Sequence, residues 1–246
     1  MDELTGKVVV VTGAGAGMGR ATAHLFASRG AKVIAADISG AENNLAKEFG
    51  ASMIPVHCDV RDEAQVEAMI AVALSSFGRL DAVLNVAGFG IPAMLAEADM
   101  AEYDRMLDVD LRGVVHGTKH GIRAMTPSGG GVILNWASVA AFGATRTWGL
   151  YSAGKAGVVA ITKTAAIEYA SAGIRANVIA PGTIQTEAFA HMPDEFATQL
   201  MSSIPAGRFG RTQEVAELAA FLVSDRAVFL SGAVIPIDGA QTAQLA

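Results

Sequence analysis

The chain has 246 residues, of which 52% are hydrophobic and 17% are charged, and its formal net charge is -6. These values favour one large α/β domain with an extensive core, and the negative charge, without a basic cluster longer than a pair, argues against a nucleic-acid-binding surface. The single cysteine, Cys58, excludes an intrachain disulfide, which fits a reducing compartment, and we expect it to be a small buried hydrophobic residue.

The first residues predict a cytoplasmic protein. They are acidic and run straight into an apolar segment of strand length, unlike a signal peptide. No apolar run approaches the ~20 residues that a membrane-spanning helix needs, so we expect no association with a membrane.

Apolar runs of strand length alternate with helix-length segments along the chain. The run 8–11 is continuously apolar, as expected of a strand covered on both faces. We predict strands over residues 8–11, 32–37, 53–58, 82–85, 132–136, 175–179 and 233–237. We predict helices over residues 18–29, 41–49, 62–77, 99–125, 150–169 and 212–223, with Asp62 and Thr212 as N-caps and a capping-box-like spacing of Asp99 and Glu102.

This alternation indicates an α/β fold, a single-domain doubly wound parallel sheet of about seven strands that is flanked by helices. No internal repeat, linker or low-complexity segment divides residues 1–246, which we expect to form one domain. Residues 183–210 are the least regular part and are broken by Pro193, Pro205 and Gly207. Because loops at the carboxyl ends of the strands form the site in such sheets, this segment is a candidate substrate lid.

Four glycines follow the first strand and lead into the first helix. Glycine permits a tight turn and a close approach of the backbone to a phosphate, and the helix N-terminus offers free N–H groups with a partial positive charge. The placement after a buried strand favours binding of a dinucleotide pyrophosphate over a purely structural turn. The residues that we expect to bind it are Gly13, Gly17, Met18 and Gly19.

Asp37 ends the second strand, where a carboxylate can accept both ribose hydroxyls of the adenosine and would repel a 2′-phosphate. No Lys or Arg stands at positions 14–16 to bind that phosphate, so we predict NAD(H) in preference to NADP(H). The alternative for Asp37 is a turn carboxylate at a strand end. We expect the turns after the third and fourth strands to lie at the adenine edge and along the cofactor, through Asp59, Val60, Asn85, Ala87 and Gly88.

Tyr151 and Lys155 lie four residues apart on a predicted helix, so they share a face. A free phenol with a pKa of about 10 is a poor base at neutral pH, but a neighbouring ammonium favours the phenolate and lowers that pKa. Tyr151 can then take a proton from an alcohol or return one to a ketone. Lys155 could also hold a nicotinamide ribose hydroxyl. Ser138, at the end of the fifth strand, could donate a hydrogen bond to the substrate oxygen.

The chain resembles the short-chain dehydrogenase/reductase family over essentially its whole length. The matching motifs, in order, are Thr12–Gly19, Asn85–Gly88, Ser138, Tyr151–Lys155, Asn177–Gly182 and Asp238–Gly239. The resemblance implies a Rossmann-type fold, oxidoreductase activity and a homotetramer built through paired long helices. It also implies contacts with the nicotinamide end, where Tyr151 and Lys155 stand, from Pro181, Gly182, Ile184 and Thr186. Close packing between such helices would be allowed by small residues on the predicted helix 150–169, namely Ala153, Gly154, Ala156, Gly157 and Ala160.

The sequence departs from the family in two places. The family commonly has asparagine in the helix before Ser138, completing a Ser-Tyr-Lys-Asn set, whereas this chain has Asp110. By the resemblance, that position holds a water for a proton relay to the lysine, largely through its main-chain carbonyl. We therefore keep Asp110 among the catalytic residues and expect activity with an altered pH profile. The smaller departure is Ala240, where a second glycine is usual.

The predicted substrate pocket is mostly apolar. Its expected lining is Ala140, Phe142, Trp148 and Met192, together with Gly90, Ile91, Met94 and Phe189. This lining favours an apolar or cyclic secondary alcohol or ketone, although several of these residues can equally serve to pack the lid. Arg146 and His191 are candidates for contact with a polar substituent, and the alternative is that both are solvated. The five histidines show no metal-ligand spacing with Cys58 or with a carboxylate pair, so we predict no metal site.

The leading functional hypothesis is an NAD-dependent alcohol dehydrogenase or ketone reductase. One alternative is a lyase or epimerase that retains the nicotinamide, although such relatives generally have longer C-terminal regions. The other is a non-catalytic NAD-sensing protein, although such proteins usually lose the tyrosine or the lysine, and both are present here.

Overall fold

The computed structural model describes residues 4–143, 145–187, 189 and 193–243. The strands are β1 Val8–Thr12, β2 Lys32–Asp37, β3 Met53–His57, β4 Ala82–Asn85, β5 Gly131–Trp136, β6 Ile174–Pro181, β7 Ile184–Gln185, β8 Gly210–Arg211 and β9 Val234–Ile237. The helices are α1 Gly17–Ser28, α2 Glu42–Phe49, α3 Glu63–Phe77, α4 Met100–Leu107, α5 Val114–Met125, α6 Gly149–Glu168, α7 Asp194–Ser202 and α8 Thr212–Val223.

One parallel sheet has the strand order β3-β2-β1-β4-β5-β6-β9, and β7 and β8 form a small separate pair. Strands β2 and β3 are added in turn on one side of β1. The connection through α3 then leads to β4 on the other side of β1, and the later strands of the sheet are added on that side. The strand order therefore reverses between β1 and β4, and open α/β sheets bind ligands outside the carboxyl ends of the strands at such a point. The predicted doubly wound sheet is confirmed.

The alternation of β1 sends its valines to two different helix layers. Val9 and Val11 join the core that α1, α2 and α8 form on one face of the sheet. Val8 and Val10 join the core that α3, α5 and α6 form on the other face. All four side chains are at most 2% exposed, which explains why the sequence of this strand is apolar without interruption.

The helix caps follow the sequence only in part. Asp62 caps α3, as predicted, because its carboxylate accepts hydrogen bonds from two N–H groups of the first turn. The prediction of Thr212 as the cap of α8 is wrong. Thr212 is the first helical residue, and the extended residue before it, Arg211, donates its N–H to the carboxylate of Glu214 at 2.7 Å.

A π-helical turn, Asp108–Gly113, separates α4 from α5, where we predicted one continuous helix. Asp99 caps α4, but Glu102 pairs with Arg105 instead of completing the predicted capping box. The wider π turn changes the direction in which the following side chains point, and such turns are frequent at functional sites. Here the turn carries Asp110, which is 1% exposed, into the interior.

The segment 183–210 contains more regular structure than we predicted, since β7 lies near its start, α7 lies in its middle and β8 begins at its last residue. The predicted pocket residue Met192, like His191, lies outside the described residues. In the part of the chain that the structure describes, no helix has both the length and the apolar character needed to span a bilayer.

Candidate active site

A cavity of about 610 Å³ opens at the carboxyl ends of β1 to β4. Its wall consists of the glycine turn, the residues that follow the second, third and fourth strands, part of α4 and of the π turn after it, and part of the segment after β7. The predicted cofactor residues in this wall are Gly13, Gly17, Met18, Gly19, Asp37, Asp59, Val60, Ala87, Gly88 and Thr186. The cavity therefore lies at the point of the sheet where the topology places a ligand.

The turn after β1 requires glycine for two separate reasons. Gly13 has a φ of +69°, and a Cβ on it would lie 3.0 Å from the backbone of Ala87. A Cβ on Gly19 would collide with the Gly13 carbonyl, so α1 begins directly against the end of the strand. Because Gly17 and Met18 also line the cavity, the free N–H groups and the positive end of the helix dipole face it.

Thr12 holds together the two strand ends at this point. Its Oγ1 accepts hydrogen bonds from the N–H groups of Val86 at 3.0 Å and Ala87 at 3.2 Å. The residue is 2% exposed, so these bonds are shielded from water. Thr12 thereby fixes the distance between the glycine turn and the Ala87–Gly88 wall.

Asp37 is anchored to the cavity wall by two backbone bonds. Its Oδ2 accepts the N–H of Gly15 and its Oδ1 accepts the N–H of Ser39, both at 2.8 Å. Each carboxylate oxygen has a further lone pair for a hydroxyl donor. A neutral diol fits this position, and a phosphate would meet a fixed negative charge.

Two arginines line the same cavity, and each is already paired. Arg61 binds both carboxylate oxygens of Asp59 at 2.6 to 3.0 Å, and this hydrogen bonding lowers the pKa of the Asp59 carboxyl. Arg105 pairs with Glu102 at 2.7 Å, and its guanidinium carbon lies 4.8 Å from the centroid of the Phe89 ring. Both guanidinium groups in the described lining therefore already have a carboxylate partner.

Glu187 is a cavity residue that the sequence analysis missed. Its Oε2 accepts the N–H of Gly17 at 3.0 Å, which places a carboxylate at the N-terminus of α1. This is the position that the glycine turn offers to an anionic ligand. The available signal was an acidic residue next to Thr186, in a segment already expected to reach the cofactor.

The residues that we predicted to take part in the reaction, Ser138, Tyr151 and Lys155, are not among those that line this cavity. Tyr151 and Lys155 lie near the start of α6, with the Lys155 Nζ 5.5 Å from the centroid of the Tyr151 ring. Ser138 follows β5, and its Oγ accepts the N–H of Ala140 at 3.2 Å. The hydroxyl hydrogen of Ser138 is left to donate elsewhere.

The loop 88–90 connects the cavity to these residues. Gly88 lines the cavity, and a Cβ on it would lie 3.1 Å from the Lys155 Nζ. A Cβ on Gly90 would collide with the Trp148 ring and lie 3.3 Å from the Tyr151 ring. The small size of this loop thus brings the cavity wall into contact with the face of α6 that carries the tyrosine and the lysine.

Asp110 contacts Lys155 directly. The distance from its Oδ2 to the Nζ is 2.9 Å, and the two side chains are 1% and 5% exposed. The Asp110 Oδ1 accepts the N–H of Phe89 at 2.9 Å, and the Nζ also donates to the Trp136 carbonyl at 3.3 Å. Burial by itself would lower the pKa of Lys155, but the negative charge of Asp110, with a smaller contribution from Tyr151, raises it overall. The water that the resemblance places at the main-chain carbonyl of position 110 stays a prediction, and the structure adds a side-chain ion pair at this position.

Comparison with known proteins assigns the chain to a family. Residues 13–242 match the family model described as enoyl-(acyl carrier protein) reductase. The chain belongs to the short-chain dehydrogenase/reductase family. Members of this family are oxidoreductases that use nicotinamide cofactors, which agrees with a cavity built around a glycine turn.

Three relatives align with nearly the whole chain. It is 40% identical to cis-4-hydroxycyclohexanecarboxylate dehydrogenase of Sinomonas cyclohexanicum over 241 residues, which cover 96% of this chain and 97% of that protein. It is 37% identical to levodione reductase of Leifsonia aquatica over 254 aligned positions, covering 97% and 95%. It is 38% identical to a 3-oxoacyl-(acyl-carrier-protein) reductase of Thermotoga maritima over 240 residues, covering 96% and 98%.

Some predicted cofactor residues of this dehydrogenase/reductase do not reach the cavity with their side chains. Asn85 is 3% exposed and donates to the Asn135 Oδ1 at 2.7 Å, so its side chain links β4 to β5. Ile184 is 5% exposed and belongs to the core rather than to the wall. Pro181 ends β6, and Gly182 packs closely against Asp238.

The substrate side is only partly enclosed by described residues. The Trp148 and Tyr151 rings meet edge to face with centroids 5.3 Å apart. Ala140 is half-buried beside Ser138, whereas Phe142 is 48% exposed. The Trp148 ring thus supplies an apolar contact beside the tyrosine.

Cys58 and two histidines lie near the cavity without forming a metal centre. Cys58 is buried, as predicted, and burial raises the pKa of its thiol to about 11. His116 bonds to the Val60 carbonyl, and His120 to Glu63, so both pack between α5 and the α3 side of the sheet. Within the described ranges, no group of three or more His, Cys, Asp or Glu residues has the geometry of a metal site.

Proposed function

We propose that this protein is an NAD(H)-dependent alcohol dehydrogenase or ketone reductase that acts on an apolar, cyclic secondary alcohol or ketone. The observation that carries the proposal is the loop 88–90. It borders the cavity at Gly88 and contacts the Tyr151–Lys155 face at the same time, so the dinucleotide cavity and a proton-transfer pair adjoin.

The residues of the cavity fit a nicotinamide dinucleotide. Gly13 and Gly19 allow the turn to pack tightly between the strand ends, so the N-terminus of α1 lies at the cavity and would supply N–H donors to a pyrophosphate. Asp37 would hold the adenosine ribose, and Tyr151 with Lys155 would stand at the nicotinamide end. When bound, the nicotinamide would supply the hydride acceptor or donor.

The proton of the reaction is assigned to Tyr151. In the oxidative direction its phenol oxygen takes the hydroxyl proton while the carbinol carbon loses a hydride, and a ketone results. Ser138 donates a hydrogen bond to the substrate oxygen, with its own Oγ held by the Ala140 N–H. In the reductive direction the Lys155 ammonium stabilises the negative charge left on the phenol oxygen.

The preference for NAD(H) rests on Asp37 and on the paired state of Arg61 and Arg105. The test is the ratio of kcat/KM for NAD⁺ to that for NADP⁺, in the natural protein and in Asp37→Ser. We expect the natural protein to favour NAD⁺ and the variant to gain use of NADP⁺. A natural protein that prefers NADP⁺ contradicts this part of the proposal.

The substrate class is supported by the Trp148 ring beside Tyr151, by the exposed apolar side chain of Phe142 and by relatives whose names include cyclic compounds. We would assay NADH formation with cyclohexanol derivatives, larger cyclic alcohols, sugars and a 3-hydroxyacyl thioester. Stoichiometric NADH from the cyclic alcohols supports the proposal, and activity confined to sugars or thioesters opposes it. Product without net NADH indicates a lyase or epimerase, and tight NAD binding without turnover indicates a sensing protein.

A homotetramer remains part of the proposal. Gly154 and Gly157 face the chain's own Leu107 and Leu111 side chains, so they serve internal packing. The other small residues, Ala153, Ala156 and Ala160, are exposed on the same helix and leave a smooth surface for a second copy. Light scattering at several protein concentrations tests the assembly.

The segment 183–210 remains our candidate for a substrate lid over a single catalytic domain of residues 1–246. Thr186 and Glu187 of this segment contribute to the cavity wall, which supports a role in covering a bound ligand. Hydrogen exchange of this segment with and without NADH tests that role. The cytoplasmic location stays a prediction from the sequence.

A further inference from the structure

The buried pair of Asp110 and Lys155 joins three parts of the active site. Asp110 belongs to the π turn, Lys155 to α6, and the Phe89 N–H that the Asp110 Oδ1 accepts belongs to the loop 88–90. An asparagine would satisfy the N–H of Phe89 equally well. It would not give the ammonium a negative partner, so the aspartate must be explained by its charge.

We propose that Asp110 is a positioning residue, which fixes Lys155 through a direct ion pair and partly cancels the field of its ammonium at Tyr151. The carboxylate thereby sets the pH range in which the tyrosine exchanges its proton. The proposal rests on the proposed function in one respect, namely that Tyr151 is the proton-transfer group.

The geometry limits which charges take part. Among the described residues, Asp110 from the π turn and Tyr151 from the same helix are the titratable groups that act on Lys155, and the third polar contact is the neutral Trp136 carbonyl. The half-buried Asp108 of the same turn pairs with Arg112 at 3.0 Å instead. The ammonium therefore faces one carboxylate and one phenol, in surroundings with little water to screen them.

The sign of the effect follows from these charges. The ammonium favours the phenolate of Tyr151, and a carboxylate beside that ammonium opposes it. Replacing Asp110 by asparagine removes the opposing charge and keeps the shape of the side chain. A unit charge within about 10 Å at an effective dielectric of about 20 moves a titration by about one pH unit. We therefore expect the phenol in Asp110→Asn to ionise at a pH lower by about that amount.

The direct measurement needs neither cofactor nor substrate. The chain has three tyrosines, so ¹³Cζ-labelled tyrosine gives three NMR signals, and Tyr151→Phe identifies the one that belongs to Tyr151. Its titration would be compared in the natural protein, in Asp110→Asn and in the control Asp108→Asn. The control removes the same charge from the same turn, but from a residue paired with Arg112. We expect a shift to lower pH in Asp110→Asn and none in the control.

Kinetics supply the second readout. The acid limb of kcat/KM for alcohol oxidation is expected to move to lower pH by about the same amount in Asp110→Asn, a change that a purely structural role would not produce. If this variant does not fold, Asp110→Ser also removes the carboxylate and leaves a hydroxyl to accept the Phe89 N–H.

The outcomes separate the two proposals. A shifted NMR titration without turnover in any variant supports the role of Asp110 and overturns the proposed dehydrogenase. An unchanged titration, an equal shift in Asp108→Asn, or a shift to higher pH overturns the role of Asp110. The last result would mean that the carboxylate chiefly keeps Lys155 charged, instead of cancelling its field.

Discussion

The cavity wall at the glycine turn is made of backbone, whereas the surroundings of Tyr151 are made of side chains. At the first place, the backbone at Gly13 and Gly19 packs too closely against its neighbours for a side chain, so the geometry depends on the absence of Cβ atoms. At the second, Lys155 and Asp110 are charges buried between a helix and a π turn. We therefore expect substitutions at the glycine turn to change the binding of the cofactor, and substitutions near Tyr151 to change the rate of the reaction and its pH dependence.

The largest expected effect tests the reaction end. Tyr151→Phe removes the proton-transfer group, so we expect kcat to fall by about a thousandfold, within the range typical of a lost general acid or base. The dissociation constant of NADH, measured by fluorescence, should change little. Tyr169→Phe is the matched control because Tyr169 directly follows α6 and is 37% exposed. Undiminished catalysis by Tyr151→Phe would refute the mechanism.

The second prediction tests the cavity wall. Gly13→Ala combines a left-handed φ of +69° with a Cβ 3.0 Å from the Ala87 backbone. We expect NADH binding to weaken about tenfold or more, because a displacement of this wall costs ~1.4 kcal/mol or more in binding. Gly40→Ala is the control, since Gly40 has a φ of +82° with no atom within 4 Å of the added carbon. Both variants carry backbone strain, so equal NADH affinities would show that crowding against the turn is unimportant.

The third prediction concerns the carboxylate that lies in the wall of backbone groups. Glu187 accepts the Gly17 N–H at 3.0 Å, so it competes with an anionic ligand for the N-terminus of α1. Glu187→Gln should tighten NADH binding by about twofold to fivefold, the range expected of one charge at a helix end. The effect should shrink at high salt.

The control for this change is Glu195→Gln, which removes the same charge from an exposed position in the first turn of α7. Equal affinities of the Glu187 and Glu195 variants would mean that the contact with Gly17 does not compete with the cofactor. Weaker binding in Glu187→Gln would mean that the carboxylate assists the ligand instead.

Much of the fold was predictable because its signals are local. The valines of β1 are apolar at every position since both faces of the strand are buried, and Asp62 caps α3 through groups within three residues. The failure at Thr212 has a local cause as well. Threonine is a common cap, but here the carboxylate of Glu214 binds the N–H of Arg211, and the helix starts at Thr212, one residue earlier than a Thr212 cap predicts.

The remainder of the site depends on contacts between distant parts of the chain. The partner of Lys155 lies in the π turn between α4 and α5, and Glu187 lies 170 positions from Gly17, so neither contact leaves a local pattern. Motif matches also do not show which atoms of a residue act. Asn85 and Ile184 occupy motif positions, yet their side chains serve the sheet and the core.

The smallest expected effect is on stability at acid pH. It concerns a residue outside both the glycine turn and the surroundings of Tyr151. Glu214 accepts bonds from the Arg208 guanidinium and from the Arg211 N–H, and this lowers the pKa of its carboxyl to about 2 from a usual 4.5. A carboxyl group whose pKa is lower in the folded than in the unfolded state stabilises the folded state at pH values above its pKa in the unfolded state. Its contribution is therefore complete above about pH 4.5 and is lost as the pH falls towards about 2.

Glu214→Gln removes this contribution at every pH. We expect the variant to melt about 1–3 °C below the natural protein at neutral pH, because the ion pairs are largely exposed, and the gap should close between pH 4.5 and 2. Glu217→Gln, on the same helix and paired with Arg29, gives the baseline for losing a surface ion pair. A gap that stays constant down to the lowest pH would show that the carboxylate acts through its shape and not its charge. We expect the NADH affinity to be unchanged in both variants. A changed affinity would mean that residues outside the wall at the glycine turn also take part in cofactor binding.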